Sequence, residues 1–368
     1  MNPFLISGYE SPEYFCDRKL ESNRLINAIE NSRNVTLISE RRFGKTSLLN
    51  HVAHLLQTDV IFIYIDIYPT LQLKDLIQLL SGKILQRLEP FSEKVIRKIT
   101  NFFSALKPKF SFDPETGTPN LELSVQNMAE AEKSVSLLFE YIRNSGEKVA
   151  VAFDEFQQIL KYPEKNIEAL LRAEIQKDNK TCFIFSGSQT HLLISMFNAH
   201  ARPFYNSTET VNLERIEQKE YVKFITQKFK SNGFQLDSVT ANYIYKVNNG
   251  ITYNVQYLSH KLFSKQEKEI SFTQVDKLLK EILKENEVVY FNYRELLTGL
   301  QYQTVKAIAK ETYVNKPYSI EFISKYNLGS ISSVRTIIKT LSEKGILINH
   351  NGVHLSDWYF SEWLKTQL

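Results

Sequence analysis

The sequence has only two cysteines, Cys16 and Cys182, among its 368 residues. Two are too few for a disulfide framework, and their apolar surroundings do not suit a zinc site, so a reducing compartment is favoured. Long hydrophobic runs are missing as well, because the longest, such as residues 60–68, are much shorter than a membrane span. No charged and then apolar secretion signal opens the chain. We therefore expect a cytoplasmic protein without a membrane segment.

A strong excess of one charge is also lacking. The net charge is +4 and the isoelectric point is near 8.7, far from the clustered basic excess of a histone or a ribosomal protein. This balance permits nucleic acid binding without arguing for it. The length exceeds what a single hydrophobic core usually supports, so we expect two or three domains.

The strongest functional signal is the segment 39–46, which lies between an apolar run at 35–38 and a helix-like pattern at 47–52. This order predicts a strand, a phosphate-binding loop and the start of a helix. Backbone N–H groups of the loop would face the β- and γ-phosphates, Lys45 would add a positive charge, and the Thr46 hydroxyl would hold Mg²⁺. The residues predicted to bind nucleotide in this segment are Ser39, Arg41, Arg42, Phe43, Gly44, Lys45, Thr46 and Ser47.

One position departs from the usual pattern GxxxxGK[ST], since Ser39 stands where the first glycine is expected. That glycine eases the sharp exit from the strand, whereas Gly44 lets the backbone approach phosphate and has no substitute. We expect the loop to tolerate Ser39. The departure also leaves open a P-loop scaffold that does not hydrolyse nucleotide.

A pair of carboxylates further along the chain supports the phosphate-binding loop. The apolar run 149–153, typical of a strand buried on both faces, leads into Asp154 and Glu155. In P-loop enzymes the first acid of such a pair binds Mg²⁺ through water, and the second polarises the attacking water. The alternative is a strand end with a solvated acidic turn, which is less expected beside a P-loop.

Helix and strand patterns alternate over the first part of the chain, as in an α/β fold with a parallel sheet. Strands are predicted at 35–38, 60–67, 149–153, 181–185 and 210–213, and helices up to about residue 56 and over 71–88. Ligands of such sheets bind at the carboxyl ends of the strands, where Gly44, Asp154 and residues 186–188 fall.

Residues 90–127 form an insertion between the second and third predicted strands. Its centre, 108–125, alternates between apolar and polar residues on both sides of a turn, which predicts a β-hairpin. We expect this hairpin to project from the nucleotide domain, either as an inert surface feature or as a partner-binding arm.

Arginines matter because P-loop ATPases often place a guanidinium on the γ-phosphate, from the same chain or from a neighbouring subunit. Arg172 lies in a helix pattern after the third strand, and Arg202 lies beyond the fourth, so either could serve. An exposed helical arginine is usually only a solvated side chain. Arg41 and Arg42 are further candidates, as cations positioned by the loop.

The C-terminal part of the chain predicts a winged helix. One short helix is expected at 319–326, a second at 331–341, and two strands around the turn at Asn351 and Gly352. The second helix would expose small polar and basic residues suited to phosphate and base-edge contacts, although any solvent-facing helix has such residues. Winged helices also serve in intramolecular packing and protein contacts. The candidate partners are therefore DNA, another protein or a second copy of the chain.

Together these motifs resemble the archaeal-type ATPases, which also occur in bacteria, belong to the AAA+/STAND group of P-loop NTPases and are related to origin-recognition ATPases. The resemblance covers nearly the whole chain and is carried by the segments 15–21, 40–49, 153–157 and 185–189. It implies that Phe15 and Arg18 lie near the adenine. It also implies that a polar residue closing the fourth strand senses the γ-phosphate, and of Ser186 and Ser188 we favour Ser188.

Two further segments match this family, and one departs from it. The family's segment after the fourth strand corresponds to residues 201–205, and its closing Asp-x-x-Phe-x-x-Trp-Leu corresponds to 357–364. In the helical lid, AAA+ proteins usually carry a second sensor arginine and STAND relatives carry Gly-x-Pro. This chain has Thr252 where the proline would stand, which puts the coupling of lid to nucleotide in question.

We therefore expect an α/β fold with a P-loop, AAA+-like parallel sheet core at 1–213, a helical lid at 214–290 and a C-terminal winged helix at 291–368. The expected function is a nucleotide switch that binds and hydrolyses ATP with Mg²⁺. The alternatives are a winged-helix DNA-binding protein that uses nucleotide only structurally, and a P-loop scaffold without hydrolysis.

Overall fold

The computed structural model describes residues 2–88, 93–112, 119–350 and 352–367. The strands are β1 (Val35–Ile38), β2 (Ile61–Asp66), β3 (Lys109–Phe112), β4 (Pro119–Glu122), β5 (Val149–Asp154), β6 (Cys182–Gly187), β7 (Glu209–Asn212), β8 (Leu347–Asn349) and β9 (Val353–Leu355). The first helices are α1 (Lys19–Glu30), α2 (Lys45–Leu55), α3 (Leu73–Leu88), α4 (Glu93–Phe102), α5 (Met128–Arg143), α6 (Ile167–Gln176) and α7 (Thr190–Asn198). The later helices are α8 (Gln218–Ser231), α9 (Ser238–Val247), α10 (Thr252–Ser264), α11 (Phe272–Glu285), α12 (Glu287–Glu295), α13 (Gly299–Glu311), α14 (Ile320–Tyr326), α15 (Ile331–Glu343) and α16 (Trp358–Thr366).

The chain divides into two compact units. One comprises Ser7–Arg215, and the other comprises Met1–Ile6 together with Ile216–Leu368. The first unit is built on a five-stranded sheet in the order β2-β5-β6-β1-β7, in which every neighbouring pair is parallel. The α/β fold with a parallel sheet is therefore confirmed.

The central strands are apolar because helices of the same unit cover the sheet. Every residue of β1, β5 and β6 is buried, which is why these strands have continuous apolar runs instead of alternation. The side chains of β2, β5 and β6 join those of α3, α5, α6 and α7 in one hydrophobic core. All five strands occur where the sequence predicts them, with ends that differ by at most two residues.

The largest of these differences is at the end of β6, which continues two residues beyond the predicted 181–185. A rule based on apolar residues ends the strand at Phe185. Ser186 extends it because its buried hydroxyl has a hydrogen-bond acceptor in Asp154 on the neighbouring strand.

The insertion contains the predicted hairpin, since β3 and β4 pair antiparallel. Its turn, 113–118, lies outside the described residues. The expectation that the hairpin projects from the domain is wrong for its base, because Leu121 is fully buried in the core of the unit. The Leu121 carbonyl also accepts hydrogen bonds from Gln78 and Ser81 of α3, at 3.0 and 2.8 Å. The apolar residues of the hairpin therefore contribute to the core.

The second unit begins with the four helices α8 to α11, in the region where the sequence predicts a helical lid. Phe4, near the start of the chain, is buried against Phe229 and Phe263, and the ring centroids are 4.8 and 6.3 Å from its own. The beginning of the chain thus belongs to the core of this helical group, which the sequence analysis did not foresee.

The predicted winged helix is confirmed in the same unit. Helices α13, α14 and α15 precede the antiparallel strands β8 and β9, and Val314 adds a short bridge to Val353. The last helix, α16, packs on the end of α9 in the same unit. Its Trp358 indole donates to the Val247 carbonyl at 2.7 Å, and its Tyr359 hydroxyl donates to the Asn248 side chain at 2.8 Å.

Candidate functional site

The loop between β1 and α2 adopts the backbone that a phosphate-binding loop requires. Gly44 has a φ of 93° directly before α2, and Arg42 has a φ of 69°, so both lie in the left-handed region. Ser39 is not in this region. The position where the usual pattern has its first glycine therefore has a backbone that serine adopts without strain, which explains how Ser39 is accommodated.

Lys45 is the first residue of α2 and is only 7% exposed. Its ammonium donates to the Ser39 and Glu40 carbonyls, each at 3.2 Å, and so holds the loop closed around the start of the helix. Burial lowers the pKa of this ammonium, while the charges of Asp154 and Glu155 oppose the shift. A buried cation at a helix N-terminus attracts anions strongly.

Asp154 is the centre of a hydrogen-bond network at the carboxyl edge of the sheet. It ends β5, and its Oδ2 accepts from the Thr46 hydroxyl at 3.0 Å and from the Tyr64 hydroxyl at 2.7 Å. Its Oδ1 accepts from the Ser186 hydroxyl at 2.6 Å and from the Glu155 N–H at 3.0 Å. Side chains from α2, β2 and β6 therefore converge on one carboxylate.

Tyr64 is a member of this network that the sequence analysis missed. It lies in the apolar pattern of β2, and β2 pairs directly with β5, so its hydroxyl reaches Asp154. Burial, followed by the charge of Asp154, raises the pKa of this phenol. The one signal available was a tyrosine within an apolar strand pattern, since a phenol hydroxyl that is shielded from water needs a partner.

Glu155 follows Asp154 with a φ of 54°, and its side chain lies in a second cluster. Its Oε2 accepts from the Ser188 hydroxyl at 2.9 Å and from the Gln157 amide at 2.5 Å. Arg41 of the loop donates to the Ser188 hydroxyl at 3.4 Å, which links this cluster to the loop. The two serines near the end of β6 are thus divided, with Ser186 on Asp154 and Ser188 on Glu155.

The donor set suits a magnesium ion shared with a phosphate ligand. The Thr46 hydroxyl and Asp154 Oδ2 are 3.0 Å apart, and Mg²⁺ is commonly held by one or two protein oxygens, phosphate oxygens and water. Within the part of the chain that the structure describes, no three His, Cys, Asp or Glu side chains group as a metal site. The residues present therefore fit a metal bound together with nucleotide better than an all-protein metal cage.

The segment before α1 braces the loop. Arg18 is 4% exposed, and its guanidinium donates to the Phe43 carbonyl in the loop at 3.1 Å and to Glu21 at 3.0 Å. Phe15 stacks on His51 of α2, with ring centroids 4.1 Å apart. Phe15 and Arg18 therefore lie beside the loop and α2, and Ser47 contacts the same segment through the Gly8 carbonyl at 3.3 Å.

The two candidate arginines lie elsewhere in the same unit. Arg202 forms an ion pair with Glu168 of α6, and Arg172 also lies on α6. Burial lowers the pKa of Arg172, whose Nε is buried without a partner among the described residues. Over the described ranges, no hydrogen bond or ion pair joins either guanidinium to the loop.

Comparisons with known proteins identify the family and the C-terminal domain. The family model "ATPase domain predominantly from Archaea" matches residues 15–292, and the model "Probable winged helix domain" matches residues 288–366. A comparison with curated proteins finds no significant match. No helix within the described ranges is long and apolar enough to cross a membrane.

Solved structures with a similar fold cover almost the whole chain. The Walker-type ATPase PABY2304 of Pyrococcus abyssi is 18% identical with a TM-score of 0.68, over 99% of both chains. The Aeropyrum pernix ORC2 protein, solved in ADPNP-ADP complexes, is 14% identical with a TM-score of 0.59, over 98% of this chain and 97% of that one. The Aeropyrum pernix ORC1 protein, solved in complex with DNA, is 14% identical with a TM-score of 0.51, over 96% and 94%. At these identities the likeness establishes the fold.

Proposed function

The chain belongs to the family of ATPase domains found predominantly in Archaea, and on that basis we propose that it binds ATP with Mg²⁺ and hydrolyses it as a nucleotide switch. One observation carries this proposal. The Thr46 hydroxyl and the Asp154 carboxylate are joined at 3.0 Å directly after a loop in which Gly44 is left-handed and Lys45 is buried. This combination suits a metal-bound triphosphate.

Each residue of the site has a distinct proposed role. Backbone N–H groups of the loop and the Lys45 ammonium bind the β- and γ-phosphates, where Lys45 exchanges its two carbonyl acceptors for phosphate oxygens. When bound, Mg²⁺ neutralises developing charge on the phosphates, and Thr46 and Asp154 are the residues that hold it. Glu155 orients the attacking water and accepts its proton. Ser188 senses the γ-phosphate through its position between Arg41 and Glu155.

The remaining nucleotide contacts are assigned by position. Ser39, Arg41, Arg42, Phe43, Gly44 and Ser47 line or brace the loop, and Phe15 and Arg18 are assigned to the adenine because the family resemblance implies it. For Arg202 to act on a γ-phosphate, its ion pair with Glu168 must first open. We therefore propose Arg202 and Arg172 as candidates that act only after a rearrangement or on a neighbouring copy.

Separating the two acids tests this function. Glu155→Gln should keep ATP and Mg²⁺ bound but reduce turnover by about a hundredfold or more, because the amide holds water without accepting a proton. Asp154→Asn should instead weaken the Mg²⁺-dependent part of ATP binding. Both are measured by titration calorimetry with and without Mg²⁺ and by steady-state phosphate release.

The exposed acid Glu147, just before β5, provides the control, and Glu147→Gln should behave like the parent. Normal turnover by Glu155→Gln would place the base elsewhere. A parent protein that binds ATP without any turnover would favour the non-hydrolysing scaffold, and one that binds no ATP would overturn the proposal.

A second candidate function is DNA binding through the winged helix. Helix α15 exposes Arg335 and Lys339 one turn apart, as a groove-binding helix needs. The similar ORC1 protein of Aeropyrum pernix was solved in complex with DNA. In this alternative, bound nucleotide only stabilises the fold. Measuring ATP turnover with and without duplex DNA separates this function from that of a nucleotide switch.

A further inference from the structure

Gln157 lies directly behind the carboxylate of Glu155, in the short 3₁₀ helix Phe156–Lys161 that follows β5. The residue is 2% exposed, and its amide nitrogen donates to Glu155 Oε2 at 2.5 Å. The orientation of the amide is fixed, because the reverse one would set two acceptors against each other. Gln157 thus directs its donor at the acid proposed to activate water.

The same carboxylate oxygen is held from a second side by Ser188. The Ser188 hydroxyl donates to Glu155 Oε2 at 2.9 Å and the Ser188 N–H donates at 3.4 Å. Over the described ranges, no hydrogen bond ends on the other oxygen, Oε1. One oxygen is therefore clamped between the 3₁₀ helix and the end of β6, and the other is free to meet a water molecule.

Gly187 gives the Gln157 side chain its place. A Cβ at residue 187 would lie 2.0 Å from Gln157 Oε1 and 3.1 Å from a methyl carbon of Leu193. The φ of Gly187 is not in the left-handed region, so the backbone does not require a glycine. Glycine is instead required because any side chain at this position would collide with the Gln157 amide.

Stability does not explain a glutamine at this position. Gln157 Oε1 is buried without a hydrogen-bond partner among the described residues, and an unmet buried acceptor destabilises the fold. An apolar side chain of the same length would fill the space without that penalty. The contact that a glutamine adds is the one to Glu155.

We propose that Gln157 is a positioning residue for ATP hydrolysis, which together with Ser188 fixes Glu155 Oε2 so that Oε1 faces the attacking water. The proposal rests on the proposed role of Glu155 as the general base. Gln157 acts through Glu155 and does not itself touch the nucleotide.

The test replaces the donor and keeps the side-chain length. Gln157→Met should lower kcat about tenfold and leave the ATP dissociation constant within about twofold, because a rotated carboxylate misplaces the water without affecting the phosphates. Gln158→Met is the matched control. Gln158 lies in the same 3₁₀ helix, is 7% exposed and donates at 2.9 Å to the Thr70 carbonyl instead of Glu155, so this variant should keep the parent kcat.

A second variant tests the contact between Gln157 and Glu155 without changing Gln157. Gly187→Ala should push the amide away from its position and give a similar loss of kcat. The double variant Gln157→Ala/Gly187→Ala should lose no more than Gln157→Ala alone, since the two changes act on one contact. Thermal unfolding identifies any variant that fails to fold.

Different results would contradict the positioning role of Gln157 and the proposed function. If Glu155→Gln turns over normally, the base lies elsewhere and the proposed function fails with it. If Glu155→Gln is inactive while folded Gln157→Met and Gly187→Ala keep the parent kcat, only the positioning role is overturned. Equal losses of kcat in Gln157→Met and Gln158→Met would also overturn it, because the effect would then be a general one.

Discussion

Two regions of the chain, the network around Asp154 and the exposed face of α15, hold their polar side chains in opposite ways. In the unit Ser7–Arg215, Asp154 is 5% exposed and accepts four hydrogen bonds, from Thr46, Tyr64, Ser186 and the Glu155 N–H. In the other unit, the polar face of α15 is open to solvent. There, Lys339 lies 4.0 Å from Glu343, and the Arg335 guanidinium lies 5.4 Å from the Tyr318 ring.

This difference decides how far each region supports a function. A buried carboxylate needs every partner it has, because an unmatched buried charge is costly, so its neighbours are constrained to a few residue types. An exposed polar face costs little in any arrangement and fits water, protein or phosphate alike. The first region therefore supports a specific chemistry, whereas the second supports only a class of partner.

The largest effect is expected for Lys45→Ala. Its ammonium is the buried positive charge proposed to bind the phosphates, so ATP affinity should fall by about a hundredfold or more, equivalent to about 3 kcal/mol. Titration calorimetry with Mg²⁺ measures it. Lys148→Ala is the matched control, because Lys148 also donates to a backbone carbonyl, that of Glu30 at 2.8 Å, and precedes β5 at the opposite edge of the sheet. Unchanged affinity in Lys45→Ala would remove the phosphate-binding assignment.

A smaller effect is expected for Tyr64→Phe. The change removes one of two donors to Asp154 Oδ2 without altering the packing of the ring, at a cost of about 1 kcal/mol. Mg²⁺-dependent ATP affinity should fall by about three- to tenfold, and affinity without Mg²⁺ should change less.

Tyr162→Phe is the control for this change, since the Tyr162 hydroxyl also has a side-chain partner but pairs with Thr70 away from Asp154. The contrast between the Asp154 network and the face of α15 would weaken if Tyr64→Phe and Tyr162→Phe gave the same Mg²⁺ dependence, because the network would then tolerate a missing partner.

The smallest effect on ATP chemistry is expected from the exposed face of α15. If this helix enters a DNA groove, Arg335→Ala with Lys339→Ala should lower DNA affinity and reduce the salt slope by about one to two, since each lost phosphate contact releases roughly one counterion fewer. Basal ATP turnover should hardly change. Fluorescence anisotropy on a duplex at several salt concentrations measures the DNA affinity and its salt slope.

Lys277→Ala with Lys280→Ala on α11 is the matched control, because it removes the same charge from exposed positions outside the winged helix. Equal losses in both double variants would indicate general electrostatic attraction. No binding by the parent at low salt would leave protein contact as the better role for α15.

The sequence predicts those features that depend on local pattern. The apolar runs of β1 and β5 follow from burial on both faces, and the loop before α2 follows from its glycine, lysine and threonine. The winged helix is predicted because its helix periodicity and its Gly352 turn are both local signals. In each case neighbouring residues in the chain carry the information.

The features that the sequence does not predict depend on which strands and helices become neighbours in the fold. Tyr64 reaches Asp154 only because β2 pairs with β5, and no spacing along the chain encodes that pairing. Similarly, the ion pair that occupies Arg202 forms with Glu168 on another element, and the hairpin packs on α3 through a carbonyl at Leu121. Such contacts are set by tertiary packing, which a motif search does not include.

The position of α16 has an experimental consequence. Both tryptophans of the chain, Trp358 and Trp363, lie on this helix, and the Trp358 indole is bonded to the carbonyl that ends α9. The unit that holds Asp154 contains no tryptophan at all. Intrinsic tryptophan emission of the unlabelled protein is therefore an optical reporter of the contact between α16 and the end of α9. Any change of tryptophan emission on adding ATP would record a change around α16 in the second unit, because the first unit contributes no tryptophan emission.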